Sequence, residues 1–392
     1  MISFQEARQI IQLQAKSFGV ETIDLENALD RVLAEDISAS RDFPPFNRSM
    51  MDGIAINFDD FQSGIKEFKC VETVFAGSSY NQVLKTGECY KIMTGAAVPP
   101  SANVVIMIED VKVERDLFTF LFNDFRINQN IAQQGQDIKK DEIAVRKGLL
   151  IKPATIGFLA SLGKAKLLVE KLPKLNLITT GNEVLELTDE VSPNHIFNSN
   201  KYVLKSLLKQ NHIQVSNYNH AIDDIETLKN VINTNLNNDI LIITGGVSAG
   251  EADYIPAILE DLGVVKLFHK VAIKPGKPIW CGIFKNQTMV FALPGNPFSC
   301  LVTFKIFIAF YLNLCLGKTA DEMNQGSLNF DRNKPSNLDE FFPVSLTHGT
   351  LEKIAINGSG DVRLGFDANA LAMQMASRKE IKQGELLPYI LL

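Results

Sequence analysis

The sequence predicts a multidomain protein with a central α/β domain, built on a doubly wound parallel sheet, and additional β-rich regions. Three observations predict this fold class. Strand-like and helix-like segments alternate between residues 174 and 318, short β-like runs separated by turn residues fill residues 46–140, and isolated β-like runs follow residue 318. A chain of 392 residues that is 46% hydrophobic and 21% charged can bury several such cores.

Helical patterns flank the first β-rich stretch. Ile10, Ile11 and Leu13 lie on one side of a predicted N-terminal helix, and a second short helix is predicted between Pro153 and Gly163. The chain therefore divides into four predicted domains: a helix/strand linker domain (residues 1–45 and 141–173), a mostly β, lid-like insert (46–140), the α/β domain (174–318) and a small C-terminal β domain (319–392).

Two loops that contain glycine follow buried strands in the α/β domain. Residues 240–243 predict a strand buried on both faces, which Gly245 and Gly246 end before a helix. The run LITT likewise leads to Gly181. Amides at a helix start attract anions, and glycines let a ligand approach the backbone, so these loops favour a phosphate site at the carboxyl ends of the strands. A plain strand-to-helix turn is the alternative.

Carboxylates lie beside both loops. Glu183 follows the first loop, and Glu251 and Asp253 follow the second. They would repel a bare phosphate, so a bridging divalent cation is predicted, although acidic residues also complement a helix dipole. Asp223 and Asp224 begin a further helix, where capping is the competing interpretation.

Lysines and prolines follow later in the same domain. Lys270, Lys274 and Lys277 are candidates for binding the rest of an anionic ligand, although surface lysines are common. Pro294 and Pro297 frame a rigid turn that ends a strand and suits the wall of a pocket.

Composition argues against several functions. A net charge of −6 without a basic run disfavours nucleic acid as a partner. The five cysteines form no CxxC pair, the five histidines show no i, i+4 pairing, and the N-terminus lacks the apolar stretch of a signal peptide, so we expect a cytoplasmic protein without a zinc site. Residues 298–317 are long enough to span a membrane, but Lys305 and Asn313 favour a buried helix and no membrane association.

Three motifs resemble unrelated catalytic or nucleotide-binding sites. Gly246, Ser248 and Gly250 match the G-x-S-x-G pattern of a hydrolase, with His348 as a distant candidate partner, and this alternative is disfavoured. The run LGKT lacks the first glycine and the preceding strand of a P-loop, and GSGDVRLG lacks the spacing of a nicotinamide-binding loop.

Taken together, the motifs resemble the molybdopterin molybdenumtransferase family, which includes MoeA-type proteins and the gephyrin E domain. The resemblance is carried in order by PPFNRSMMDGIA, IMTGAAVP, QGQDI, TTGNEV, GGVSAGEADY, KVAIKPGKP and LPGNP. It implies that the central α/β domain binds molybdopterin. It also implies a cytoplasmic enzyme of molybdenum cofactor biosynthesis that inserts molybdate into adenylylated molybdopterin with magnesium and releases AMP.

The resemblance and the motifs together give a set of candidate site residues. Catalytic positions are expected at Asp52, Thr94, Asp137, Glu183, Asp223 and Asp253, of which Glu183, Asp223 and Asp253 would hold Mg²⁺. Ligand-binding positions are expected at Gly181, Thr244, Gly245, Gly246, Ser248, Gly250, Lys270, Lys274, Lys277, Pro294 and Pro297.

The family further implies a homodimer whose clefts are shared between subunits, and a molybdopterin adenylyltransferase as a partner. Adenylyltransferase-like activity and a gephyrin-like scaffold without turnover are the alternative functions. The sequence departs from the family at Ala132, Gln133 and Gln134, where arginine is usual, and at Arg363 and Leu364, where serines are common.

Overall fold

The structure is a computed structural model, and it describes residues 1–122, 124–247, 254–319, 323–361, 363 and 367–392. The chain divides into two compact units. The larger unit comprises Met1–Thr22, Asp30–Val32 and Leu168–Leu392, and the smaller unit comprises Ile23–Leu29 and Leu33–Leu167. The boundaries of the four predicted domains stay predictions.

Several helices, including the first, begin at residues that favour helix starts. Ser3 and Glu6 form a capping box, in which the Glu6 amide donates to Ser3 Oγ (3.2 Å) and the Ser3 amide donates to Glu6 Oε2 (2.7 Å). The helices are α1 (Phe4–Leu13), α2 (Phe58–Gln62), α3 (Pro153–Ser161), α4 (Ser199–Gln210), α5 (Ile225–Asn235), α6 (Ile255–Asp261), α7 (Pro297–Thr303) and α8 (Ala309–Cys315).

The strands are short, and many are bounded by glycine, proline or asparagine. In the N-terminal part they are β1 (Val20–Asp24), β2 (Ile37–Ser38), β3 (Arg48–Ser49), β4 (Gly53–Ile56), β5 (Glu67–Val74), β6 (Glu88–Ile92), β7 (Val104–Met107), β8 (Val111–Glu114), β9 (Leu117–Phe120), β10 (Ile131–Ala132), β11 (Ile143–Val145) and β12 (Lys166–Glu170). The α/β region contains β13 (Leu175–Thr180), β14 (Val184–Leu185), β15 (Ile196–Phe197), β16 (Val215–Ala221), β17 (Ile240–Thr244), β18 (Val264–His269), β19 (Ile273–Lys274), β20 (Trp280–Phe284) and β21 (Thr288–Leu293). The C-terminal region contains β22 (Asn324–Leu328), β23 (Arg332–Asn333), β24 (Asp339–Thr347), β25 (Thr350–Lys353), β26 (Ala370–Gln374), β27 (Glu380–Ile381) and β28 (Leu386–Leu391).

The smaller unit is built around a mixed sheet. Its described residues form six strands in the order β7-β4-β6-β5-β9-β8, antiparallel except for the parallel pair β5 and β6. Phe61, Phe120 and Phe125 pack edge to face beneath it, with ring centroids 5.1–5.7 Å apart. The prediction of a β-rich insert is confirmed.

The α/β region contains a sheet of six strands among its described residues, in the order β16-β13-β17-β21-β20-β18. The first four strands are parallel, whereas β20 and β18 extend the sheet in antiparallel fashion. The sequence did not predict this edge, because β18 and β20 follow one another without the helical crossover that a parallel pair requires.

Helices cover both faces of this sheet. Ile240 and Ile242 of β17 pack in one core with residues of α1, α4, α7 and α8, and Leu241 and Ile243 pack in another with residues of α5 and α6. Successive residues of a strand face opposite sides, so a continuous apolar run such as ILII serves both cores. The prediction of a doubly wound α/β domain is confirmed.

The long apolar segment forms a core helix. It runs over Pro297–Cys315 through α7, a π-helical turn (Phe304–Ile308) and α8. Among the described residues it is the one helix long and apolar enough to cross a membrane, and 83% of its most apolar window is buried. Phe304, Phe307 and Leu312 lie fully inside the larger core, so the prediction of a buried helix is confirmed.

The C-terminal region closes into a small barrel. Its strands follow the order β24-β25-β22-β28-β26, and β26 also pairs with β24, which closes the ring. β19 from the α/β region pairs in parallel with β24, with Lys274 opposite Glu340. The predicted C-terminal β domain is confirmed.

Candidate active site

A cavity of about 470 Å³ lies at the carboxyl ends of the parallel strands. Loops after β13, β16, β17 and β21 and the start of α4 form its walls, as expected for a ligand site in an open α/β sheet. Eight predicted site residues line it: Gly181, Glu183, Asp223, Thr244, Gly245, Gly246, Pro294 and Pro297.

The glycines of the cavity are required by space and by backbone conformation. Gly245 has a φ of +107°, and a Cβ there would lie 2.4 Å from Thr180 Oγ1. Gly246 has a φ of +61°, and its Cβ would lie 2.8 Å from Ile255 Cγ1. Any larger residue would displace these loops. Glycine is therefore required at both positions by close packing at the cavity.

The acidic residues at the end of β16 have separate roles. Asp224 is the N-cap of α5, and its Oδ2 accepts from the Thr227 amide at 2.9 Å. Asp223 caps nothing and lines the cavity, and its backbone amide donates to Asn182 Oδ1 at 2.9 Å. Burial raises the pKa of Asp223, and the nearby charge of Glu183 adds to this, although contacts of the carboxylate with the Thr180 side chain and the Asn182 backbone act in the opposite direction.

Three oxygens at the cavity have no partner among the described residues. They are Thr180 Oγ1, Asn200 Oδ1 and Asp223 Oδ1, all buried. A buried polar oxygen without a hydrogen bond is costly unless a ligand, an ion or water satisfies it. The oxygens of a hydroxyl, an amide carbonyl and a carboxylate can serve as ligands of a hard cation, or they can accept hydrogen bonds from a polar ligand.

The start of α4 supplies site residues that the sequence reasoning missed. Asn198 caps α4 by accepting from the Lys201 amide (3.1 Å), while its Nδ2 donates to Thr179 Oγ1 (2.8 Å). Asn200 Nδ2 donates to Gly295 O at 2.6 Å, which fixes the amide so that its oxygen is the free group. In the sequence, the run FNSN before a helix could have indicated these residues, but asparagine and serine at that place normally indicate only a helix cap.

The predicted lysines lie outside the cavity lining. Lys274 is 60% exposed, and its Nζ lies 3.5 Å from Glu340 Oε1. Glu340 is nearly buried and also accepts from Arg332 Nη2 at 2.8 Å. Lys270 is partly buried and Lys277 is exposed. Their predicted binding roles stay predictions.

The remaining predicted catalytic residues belong to the smaller unit. Asp52 Oδ1 accepts from the Thr94 amide at 2.6 Å and from Thr94 Oγ1 at 2.8 Å. The bond from the Thr94 amide lowers the pKa of Asp52. Asp137 is exposed. Asp52 and Thr94 therefore form a hydrogen-bonded pair that favours the ionised form of the Asp52 carboxylate.

Three predicted site residues, Ser248, Gly250 and Asp253, lie outside the described residues, as does Glu251. Within the part of the chain that the structure describes, no group of three or more histidine, cysteine or acidic side chains could hold a metal ion. The predicted metal set of Glu183, Asp223 and Asp253 therefore stays a prediction. His348, the distant partner considered for Ser248, lies exposed in the turn between β24 and β25.

Comparisons with known proteins address the identity of this arrangement. A family described as the MoeA N-terminal region (domain I and II) matches residues 2–163, and a family described as a probable molybdopterin binding domain matches residues 176–313. The molybdopterin molybdenumtransferase of Staphylococcus epidermidis is 34% identical over 401 aligned residues, which cover 100% of this chain and 95% of that protein. The chain belongs to the molybdopterin molybdenumtransferase family.

Further members of the molybdopterin molybdenumtransferase family agree in length and fold. The protein of that name from Synechocystis sp. is 30% identical over 397 residues, with 99% of each chain covered. The solved structure of the molybdopterin biosynthesis MoeA protein from Pyrococcus horikoshii has a TM-score of 0.83 and 29% identity, with 100% of each chain covered.

Two of the positions where a departure from the family is expected, Gln134 and Arg363, have local partners, and Leu364 lies outside the described residues. Gln134 Nε2 donates to Asp42 Oδ2 at 2.8 Å, so this side chain is engaged within the smaller unit. Arg363 pairs with Asp361 through Nε at 3.2 Å, and this pair lowers the pKa of Asp361 to about 2. Both side chains are therefore engaged in polar contacts within their own region of the chain.

Proposed function

We propose that this chain inserts molybdenum into molybdopterin, taking molybdate and adenylylated molybdopterin as substrates and releasing AMP. Two findings support the proposal. The chain aligns along its whole length with curated molybdopterin molybdenumtransferases. Its cavity also combines glycine loops, which suit a phosphoanhydride, with oxygens that need partners.

The unpartnered oxygens of Thr180, Asn200 and Asp223 carry the proposal. They converge on one cavity, and their neighbours are fixed by hydrogen bonds, as in the Asn200 to Gly295 contact of 2.6 Å. Fixed polar groups of this kind bind a charged ligand without reorganising first. A substrate with two linked phosphates would accept hydrogen bonds from the backbone amides of the glycine loops. A cation would be coordinated by the unpartnered oxygens of Thr180, Asn200 and Asp223.

Magnesium suits these oxygen ligands, because it is a hard cation. Asp223 is the first candidate for a metal ligand, because its partly buried carboxylate presents Oδ1 without a hydrogen-bond partner among the described residues, and Glu183 is the second acidic residue at the cavity. When bound, Mg²⁺ would neutralise the phosphate charge that develops as AMP leaves. Asp223 and Glu183 would orient it, and the glycine amides would hold the phosphate oxygens.

The test is AMP release by purified protein supplied with adenylylated molybdopterin, molybdate and magnesium. We expect the wild type to release AMP and the Asp223→Asn variant to lose roughly a hundredfold in rate. Asp224→Asn is the matched control, because it changes the adjacent carboxylate and preserves capping. If the wild type released no AMP, or if both variants fell equally, the proposal would be wrong.

The same assay separates the two alternative functions. An adenylyltransferase would consume ATP and molybdopterin and would form the adenylylated compound. A scaffold would bind molybdopterin or proteins without turnover. Full-length agreement with molybdopterin molybdenumtransferases, including the N-terminal region at residues 2–163, favours insertion over both.

We also propose that the chain acts in the cytoplasm as a homodimer with clefts shared between subunits, and that an adenylyltransferase supplies its substrate. All five cysteines are free thiols, which suits a reducing compartment. Mixing an Asp52→Ala subunit with an Asp223→Asn subunit tests the shared cleft. Recovered AMP release in the mixture supports it, and a mixture as inactive as its components contradicts it.

A further inference from the structure

An apolar edge lies on the same cavity as the unpartnered oxygens. Val184, Ile196 and Phe197 line the cavity beside the polar groups. β14 and β15 pair in parallel, with Val184 opposite Ile196 and Leu185 opposite Phe197. Ile196 is 60% exposed and Phe197 is 43% exposed, so both present apolar surface to the solvent at the cavity.

The backbone on either side of Phe197 is held in place. The Ile196 amide donates to Glu183 O at 2.8 Å, and the Asn198 amide donates to Leu185 O at 2.9 Å. Asn198 is itself buried as the N-cap of α4. The backbone at Phe197 is therefore held in place, and its side chain lines the cavity with 43% of the residue exposed, so apolar area remains there for a ligand to bury.

We propose that Phe197, with Ile196 beside it, is a stacking platform for a flat heteroaromatic ring that is attached to phosphate, namely the adenine or the pterin of the substrate. This inference rests on the proposed function. A ligand whose phosphates lie at the glycine loops carries its rings only a few bonds away, so one cavity must satisfy both phosphate and ring. Aromatic side chains stack on such rings with offset geometry and gain from the burial of both faces.

Charge supports the assignment of the ring to this edge. Glu183 and Asp223 also line the cavity, and their carboxylates suit a cation and not an aromatic face. The edge formed by Val184, Ile196 and Phe197 carries no charged side chain. The ring of such a ligand therefore meets apolar side chains at this edge, while its phosphates and a cation meet the polar groups of the same cavity.

Binding calorimetry with three ligands tests the platform. Adenylylated molybdopterin carries both rings, AMP carries adenine alone, and inorganic pyrophosphate carries no ring. We expect Phe197→Ala to weaken binding of adenylylated molybdopterin about tenfold and to leave pyrophosphate binding unchanged. Phe197→Tyr should bind as the wild type does, because it retains the ring.

Leu187→Ala is the matched control. Leu187 lies between β14 and β15, is 56% exposed, and is not among the described residues that line the cavity. Its truncation removes a comparable apolar side chain from the same excursion of the chain. We expect it to bind all three ligands as the wild type does, and thermal unfolding of each variant checks that the fold is retained.

The outcomes separate this inference from the function on which it rests. Weaker AMP binding by Phe197→Ala assigns the platform to adenine, and weaker binding of adenylylated molybdopterin alone assigns it to the pterin. Wild-type affinity in Phe197→Ala, or an equal loss in Leu187→Ala, overturns the platform while wild-type AMP release still supports the function. A wild type that binds no adenylylated molybdopterin and releases no AMP overturns both.

Discussion

Asp223 and Asp224 are adjacent in the chain, yet one lines the cavity and the other caps a helix. The Asp224 carboxylate accepts from the Thr227 amide at 2.9 Å, whereas Asp223 Oδ1 has no partner among the described residues. The pKa of Asp223 is raised by burial, and the pKa of Asp224 is lowered by the Thr227 amide. The two aspartates therefore change the free energy of unfolding in opposite directions as the pH rises.

Asp223→Asn is expected to make the free protein more stable at pH 7. The folded state holds the ionised Asp223 carboxylate in a partly buried place beside Glu183, which opposes folding, and a neutral amide removes this cost. Chemical denaturation of the wild type and the variant at pH 7 measures the difference in free energy of unfolding. A variant that is clearly less stable would show that the contacts of Asp223 with Thr180 and Asn182 outweigh the cost of its burial.

The stability gain of Asp223→Asn should shrink as the pH falls. A raised folded pKa means that the favourable contribution of Asp223 is complete below its ordinary value of 3.8 and is lost as the pH rises through the folded value. Wild type and variant should therefore converge towards acidic pH. A gain that stays constant between pH 7 and pH 4 would contradict the raised pKa.

Asp224→Ala should show the opposite pattern. Its lowered pKa means that the cap stabilises the protein above the ordinary value of 3.8 and is lost as the pH falls through the folded value. The variant should be less stable than the wild type at pH 7 and should approach it in acid. The same denaturation series measures this, and Asp224→Asn, which can still cap but does not titrate, should stay close to the wild type at pH 7 and lose less stability than the wild type as the pH falls.

Gly245→Ala should damage the site more than a positive φ alone explains. Its Cβ would lie 2.4 Å from Thr180 Oγ1 and 2.9 Å from Thr180 O, so β13 and the loop after β17 would have to separate. Gly263 is the matched control, because it has a φ of +86° and open space around it. We expect a loss of about 1 kcal/mol for Gly263→Ala, from backbone strain, and a larger loss with weakened ligand binding for Gly245→Ala. Equal losses in thermal unfolding would mean that the contact with Thr180 relaxes freely.

The glycine loops could be predicted from the sequence because their cause is local. A continuous apolar run specifies a buried strand, and glycine directly after it specifies a tight approach, as Gly245 against Thr180 shows. The acidic residues beside these loops were found for the same reason. Their separation into site and cap was not predictable, because it depends on which of two neighbouring carboxylates meets the Thr227 amide.

Features that depend on contacts distant in sequence were missed. Asn200 belongs to the site because its amide reaches Gly295, which lies 95 positions later in the chain. Lys274 is directed towards Glu340, 66 positions later, by the pairing of β19 with β24. A sequence pattern reports periodicity and local turns, and neither indicates which distant strand a short segment will join.

Glu340→Ala is expected to destabilise the C-terminal barrel strongly. The Glu340 carboxylate is nearly buried and accepts from Arg332 Nη2 at 2.8 Å and from Ser336 Oγ at 2.6 Å. Its removal leaves the Arg332 guanidinium without its ionic partner, and because Arg332 is 19% exposed and also donates to Gln374 Oε1, we expect a loss at or below the lower end of the roughly 3–5 kcal/mol typical of a buried pair. Denaturant unfolding of the full chain measures this. A loss below about 1 kcal/mol would show that solvent replaces the carboxylate.

Lys274→Ala separates a structural lysine from a ligand-binding one. The Lys274 side chain is 60% exposed, so its pair with Glu340 should contribute less than about 1 kcal/mol, and the variant should unfold close to the wild type. If Lys274 also binds a phosphate, as its match to the family implies, its loss removes a charged hydrogen bond worth roughly 1.5–3 kcal/mol and weakens binding of adenylylated molybdopterin about tenfold to a hundredfold. Lys229→Ala is the control, because Lys229 is 48% exposed and pairs with Asp261 elsewhere on the larger unit. Calorimetric affinity that is unchanged in Lys274→Ala, and equal to that of Lys229→Ala, would leave Lys274 with the single role of pairing with Glu340.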